Sequence, residues 1–139
     1  MPISNEDNLS LEEVLEICRS VKKENIEIDT DPITRPKNVA FLDKYVLSVE
    51  DVRQIIRNLE LIDYVKGPVE DYNPKFKHPF WVFIKDLKKL KVVVYIKLKI
   101  FNHKKKINVF SIHEEGDYEL WKKEKEPGVS LVIKMFTTI

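Results

Sequence analysis

Cysteine is nearly absent from this sequence. Cys18 is the only one, which excludes an intrachain disulfide and a cysteine-based zinc site. It falls on the apolar face of an expected helix, where it reads as a small core residue before it reads as a nucleophile. Glycine is scarce too: three in 139 residues, so a loop built around Gly67 stands out. Arginine is outnumbered by lysine, 4 against 20, a bias that points to genome composition or a warm habitat. No apolar run approaches the roughly 18 residues of a membrane span. The start, Met1-Pro2-Ile3-Ser4-Asn5-Glu6-Asp7, lacks the basic-then-apolar layout of a signal peptide, so a cytoplasmic protein without a membrane partner is expected.

What remains suffices for one domain. At 43% hydrophobic and 34% charged residues, a chain of this length buries one core and needs no second. Its net charge of +1 conceals an uneven distribution. Residues 1–63 carry 8 basic and 14 acidic side chains, residues 64–113 carry 12 and 3, and residues 114–139 carry 4 and 6. The central stretch is therefore strongly positive between two acidic flanks. Such a surface suits a polyanionic ligand, although lysines on an edge strand also serve to resist aggregation.

Ser10-Leu11-Glu12-Glu13 is a capping-box pattern, and Leu11, Val14, Leu15, Cys18 and Val21 follow at helical spacing, predicting a helix over about 10–24. Pro32 and Pro36 make 25–38 a connector with at most a short extended piece at Ile26-Glu27-Ile28. Residues 40–46 are ambiguous. Ser48 opens a second amphipathic helix, about 49–61, carried by Val52, Ile55, Ile56 and Leu59. Gly67-Pro68, Asn73-Pro74 and His78-Pro79 predict a long loop over about 62–79. Three strand-like runs follow at 80–85, 92–100 and 107–112, joined by lysine-rich turns, and short connections favour an antiparallel meander. In the middle run, alternation assigns Val92, Val94, Ile96, Leu98 and Ile100 to the core. Val93, Tyr95, Lys97 and Lys99 fall on the opposite, mixed polar face. Ser130 to Phe136, after Pro127-Gly128, reads as an added C-terminal strand. The expected fold class is α+β, two N-terminal helices on a twisted antiparallel sheet. The single domain divides into a helical part (about 1–62), a basic strand-rich part (about 63–115) and a C-terminal extension (116–139).

Ser111 and His113 share one side of the last central strand. If that side is also the Tyr95 face, a phenol, ammonium groups, a hydroxyl and an imidazole gather on one sheet surface. That set suits phosphodiester cleavage without a metal. The reaction needs a base for the ribose 2′-hydroxyl, cations for charge developing on phosphorus oxygens, and an acid for the leaving 5′-oxygen. Imidazole titrates near neutrality, so His113 is the candidate acid or base, and Lys97 and Lys66 are the candidate charge stabilisers. A merely exposed His113 and a half-buried packing role for Tyr95 are the alternatives. His78, His103 and His113 lie on different elements with no ligand spacing among them, so neither metal nor other cofactor is expected.

From about Tyr45 to Glu115 the order of motifs matters more than any one of them. A helix precedes Asp63-Tyr64-Val65-Lys66-Gly67-Pro68-Val69-Glu70-Asp71, then Trp81-Val82-Phe83, Val94-Tyr95-Ile96-Lys97-Leu98 and Val109-Phe110-Ser111-Ile112-His113. This order resembles the MqsR-like branch of the RelE-type toxins, small messenger-RNA interferases of toxin–antitoxin modules. Ser111-Ile112-His113 stands where the family pattern has Ser-Phe-His. The resemblance implies a RelE-like fold, a basic concave sheet that takes RNA, metal-independent cleavage of the kind that is often ribosome-linked or sequence-preferring, and silencing by a cognate antitoxin protein. By motif it carries the catalytic roles to Lys66, Tyr95, Lys97 and His113. Lys85, Lys99, Lys104 and Lys105 are expected to bind RNA through their charge. Trp81 either anchors the core or stacks on a base, and Asp63 and Asp71 either orient Lys66 or a base or cap turns. Two other functions compete: a noncatalytic nucleic-acid-binding module on the same sheet, and a protein-interaction domain using Trp81, Trp121 and the apolar tail.

Overall fold

The computed structural model describes residues 8–73 and 78–116. They form three helices, α1 (Leu11–Ser20), α2 (Pro36–Lys44) and α3 (Val49–Arg57), and five strands, β1 (Ile26–Ile28), β2 (Tyr64–Val69), β3 (Phe80–Leu87), β4 (Val92–Phe101) and β5 (Lys106–Glu114). The class is α+β, as expected from the sequence.

Ser10 caps α1 reciprocally with Glu13, and Ser48 caps α3 reciprocally with Asp51. Both pairings satisfy first-turn N–H groups that have no partner inside the helix. α1 ends earlier than its periodicity suggests. The Ser20 hydroxyl turns back to the carbonyl of Glu16, and Val21 is extended. Arginines of α3 take over the released carbonyls, Arg53 Nε reaching Val21 O at 2.8 Å and Arg57 Nε reaching Arg19 O at 2.9 Å. The ambiguous stretch becomes α2, with Pro36 at its first turn, where a missing N–H costs nothing.

The strand order is β1-β5-β4-β3-β2. β2 to β5 form the antiparallel meander, while β1 pairs parallel to β5. The sheet is therefore mixed rather than antiparallel throughout, and three helices replace the two expected. The short extended piece at 26–28 is the strand responsible. The expected loop 62–79 is the other departure, because its residues 64–69 are the edge strand β2. An edge strand accommodates Pro68, which has no N–H to give a ladder. Gly67 is required there: its φ is +148°, and a Cβ would come within 2.7 Å of the Trp81 ring.

α1 and α3 pack with one face of the sheet, burying Val14, Cys18, Val52 and Ile56 with Trp81, Phe83, Val94, Ile96, Leu98 and Ile112. Trp81 is thus a core anchor. The β4 residues assigned to the core by alternation are all buried. The opposite, outer face is less polar than alternation suggests, because Phe80, Val82 and Val93 are buried there outside the helix-side core. The C-terminal strand expected over Ser130–Phe136, and Trp121, lie outside the described residues.

Candidate functional site

β5 has to place Ile107, Val109 and Ile112 in the core, which strict alternation cannot do. A bulge opposite the Lys97–Leu98 step resolves this: Lys97 pairs with Ser111 while Leu98 pairs with Val109. The extra residue, Phe110, joins Ser111 on the outer side. Past the end of β1, the Asn38 side chain of α2 substitutes for a neighbouring strand. Its amide nitrogen donates to Phe110 O and Asp29 O, each at 2.9 Å, and its oxygen accepts from Ile112 N at 2.9 Å. Asn38 thereby holds the turn of the strand that aims Ser111 and His113 outward.

With this register Tyr95 and His113 are cross-strand partners. Their rings stack, with centroids 5.2 Å apart and planes inclined by 17°. His113 Nδ1 lies 3.1 Å from Glu114 O. A carbonyl only accepts, so in the neutral ring Nδ1 carries the hydrogen and Nε2 keeps its lone pair. The side chain of Glu114 fixes this end of β5, accepting from Lys44 and Tyr45 at the end of α2.

The next rung is Lys97 opposite Ser111, and it continues across the sheet through Val82 to Lys66 on β2. Burial holds the Lys97 ammonium below its ordinary pKa, and the charges of Arg35, Lys66 and Lys99 push it in the same direction against a weaker opposing pull from Asp71. Lys97 Nζ also sits 4.0 Å from the centroid of the Phe80 ring. Burial raises the Tyr95 phenol, with a further contribution from Glu115, so it stays protonated through neutral pH. A neutral phenol, a strained ammonium, a hydroxyl and an imidazole whose Nε2 has no hydrogen-bond partner among the described residues therefore share one surface. That set can accept one proton, donate another and stabilise an anion between them.

The four residues expected to be catalytic come together in this way, Tyr95 with His113 on one rung and Lys66 with Lys97 on the next. The four lysines expected to bind RNA do not. Lys85 projects to the helix side, where its ammonium donates to Asn58 O at 2.8 Å and pairs with Asp63 at 3.1 Å. Lys99 has the outer-face parity but is only 1% exposed; it pairs with Asp71 at 2.7 Å and lies against the rings of Phe80 and Phe110. Asp63 and Asp71 therefore neutralise lysines and do not orient Lys66. Lys104 and Lys105 are exposed, but they occupy the far end of the β4–β5 hairpin, about 20 Å along the strand from Tyr95. Burial pushes the Cys18 thiol up to about 12, which fits packing and not nucleophilic attack.

Arg35, Asn108 and Phe110 are outer-face residues that sequence reasoning missed. Arg35 precedes Pro36 in a stretch without periodicity, and only the fold of α2 against β5 brings its charge towards Lys97. Phe110 signals itself weakly, through an apolar pattern in β5 that fits two faces only if one residue is extra.

Among the described residues no group of His, Cys, Asp and Glu is placed to hold a metal ion, and no helix is long and apolar enough to cross a membrane. No family model, no curated protein and no solved structure matches the chain.

Proposed function

We propose that the protein is a metal-independent endoribonuclease working on its outer sheet face, a toxin of the RelE type, with a cognate antitoxin as its silencing partner. The observation that carries this reading is the pair of adjacent rungs, Tyr95 stacked on His113 beside Lys97 opposite Ser111. His113 Nε2 takes the proton of a ribose 2′-hydroxyl. The 2′-oxygen then attacks the adjacent phosphorus, and the bond from phosphorus to the 5′-oxygen breaks. Lys97, whose surroundings disfavour its charge, gives the proton to the departing 5′-oxygen. Lys66 and the Tyr95 hydroxyl stabilise charge on the phosphoryl oxygens. The products are a 2′,3′-cyclic phosphate and a 5′-hydroxyl, so atoms balance without water or metal in the first step.

The test is incubation of pure protein with single-stranded RNA, free and on ribosomes, in excess EDTA. Cleavage is expected from the wild type and is expected to fall by about 100-fold or more in His113→Ala, in keeping with loss of a general base. Binding without cleavage, weakening steeply with salt, would instead favour a noncatalytic nucleic-acid-binding module on the same face. Absence of both binding and cleavage would overturn the reading.

A further inference from the structure

β2 ends at Val69, at the edge of the sheet, and the chain then turns over the outer face. Two residues on, the Asp71 carboxylate meets Lys99 Nζ at 2.7 Å. Lys99 belongs to β4, and β3 lies between β2 and β4, so the segment reaches across about 10 Å of sheet. Lys99 Nζ lies against the rings of Phe80 and Phe110, 4.5 and 5.3 Å from their centroids. Asp71 is therefore pinned above the outer face and does not hang beside its edge. Asn73 N donates to Asp71 Oδ1 at 2.9 Å, which closes a tight turn around Tyr72.

Tyr72 itself is fully exposed. An exposed tyrosine is ordinary, but this one stands beside the candidate catalytic row. Lys97 Nζ and Lys99 Nζ lie on the same Phe80 ring, 4.0 and 4.5 Å from its centroid, so the turn that holds Lys99 also borders Lys97. The Asp71 charge is felt there as well. Asp71 neutralises Lys99, whereas Lys66 and Lys97 have no carboxylate at salt-bridge distance among the described residues. Single-stranded nucleic acid is held by this combination: cations that follow the backbone, and an aromatic ring on which a base stacks.

We propose that Tyr72 is the stacking platform for one base of a bound RNA strand, beside the phosphate at Lys97. The inference rests on the RNA reading above and adds a base contact to it. The turn fixes the backbone at Tyr72, and a tyrosine has few side-chain torsions, so ordering its ring on a base costs little. Every base offers a π-face. The contact therefore sets affinity and the register of the strand, not its sequence.

Fluorescence anisotropy of the full chain with two labelled 2′-O-methyl decamers, oligoadenylate and an abasic strand of equal length and charge, separates base from backbone. Neither strand has the 2′-hydroxyl that cleavage requires. Tyr72→Ala is expected to bind oligoadenylate about tenfold more weakly than the wild type and the abasic strand equally well. Tyr72→Phe should keep the wild-type affinity for both, and Lys97→Ala should weaken both, which places the backbone at Lys97. Unchanged affinity of Tyr72→Ala for oligoadenylate, an equal loss on the abasic strand, or as large a loss in Tyr72→Phe would overturn the stacking role while leaving the RNA reading standing. No binding of either strand by the wild type would overturn both.

Discussion

Lys99 shows how little a residue type says until its partners are known. Its position in β4 puts it on the outer face, as alternation requires, but Asp71 and two phenylalanine rings enclose it. Removing the carboxylate that pairs with this buried ammonium should destabilise the fold in urea titration of Asp71→Asn, and Lys99→Met should do so by clearly less. Equal losses would mean that the lysine stem, and not the ion pair, is what matters. Tyr95, Lys97 and His113 were legible because strand parity fixes which residues share a face. Lys85 and Lys99 were not, since parity says nothing about which carboxylate another segment brings to them.

At the scale of elements, the bulge in β5 depends on Asn38, a buried polar side chain with three backbone partners. Asn38→Ala would leave Phe110 O and Ile112 N without partners, and a loss of about 2 kcal/mol or more is expected in thermal or chemical denaturation. Hydrogen exchange at Ile112 should rise selectively; unchanged protection there would show that the bulge holds without the clamp. Gly67→Ala, forcing a Cβ against Trp81 at a backbone angle that side chains avoid, should cost about 2 kcal/mol by the same measurement. The capped helices, the β3–β4–β5 meander and even the short extended piece at 26–28 were legible, because caps and periodicity are local. β2 was hidden by its glycine and proline, which mark a loop unless the strand is known to lie at an edge. The parallel pairing of β1 was hidden because it joins residues some eighty positions apart.

For the whole molecule, charge acts on stability as well as on binding. Lys99 and a backbone N–H hold the Asp71 carboxyl below its usual range, and Lys44 and Tyr45 do the same for Glu114. The unfolded chain thus takes up these protons at a higher pH than the folded one. Their stabilisation is present above about pH 5 and is lost as pH falls through the depressed folded values. The melting temperature should drop between about pH 5 and pH 3, and by less in Asp71→Asn; a variant with the wild-type slope would assign the acid sensitivity elsewhere. The division of charge along the chain was readable in advance. Its mapping was not, because the lysines that dominate the count sit in the two hairpin turns at opposite ends of the sheet, while Tyr95, Lys97, Ser111 and His113 occupy its middle. The claim that Tyr95, Lys97 and His113, with Lys66 on the neighbouring strand, form a nuclease centre is tested most directly by the ends of RNA cut in EDTA. Fragments ending in 2′,3′-cyclic phosphate and beginning with 5′-hydroxyl, absent with His113→Ala, are expected; intact RNA, or 3′-hydroxyl ends, would contradict it.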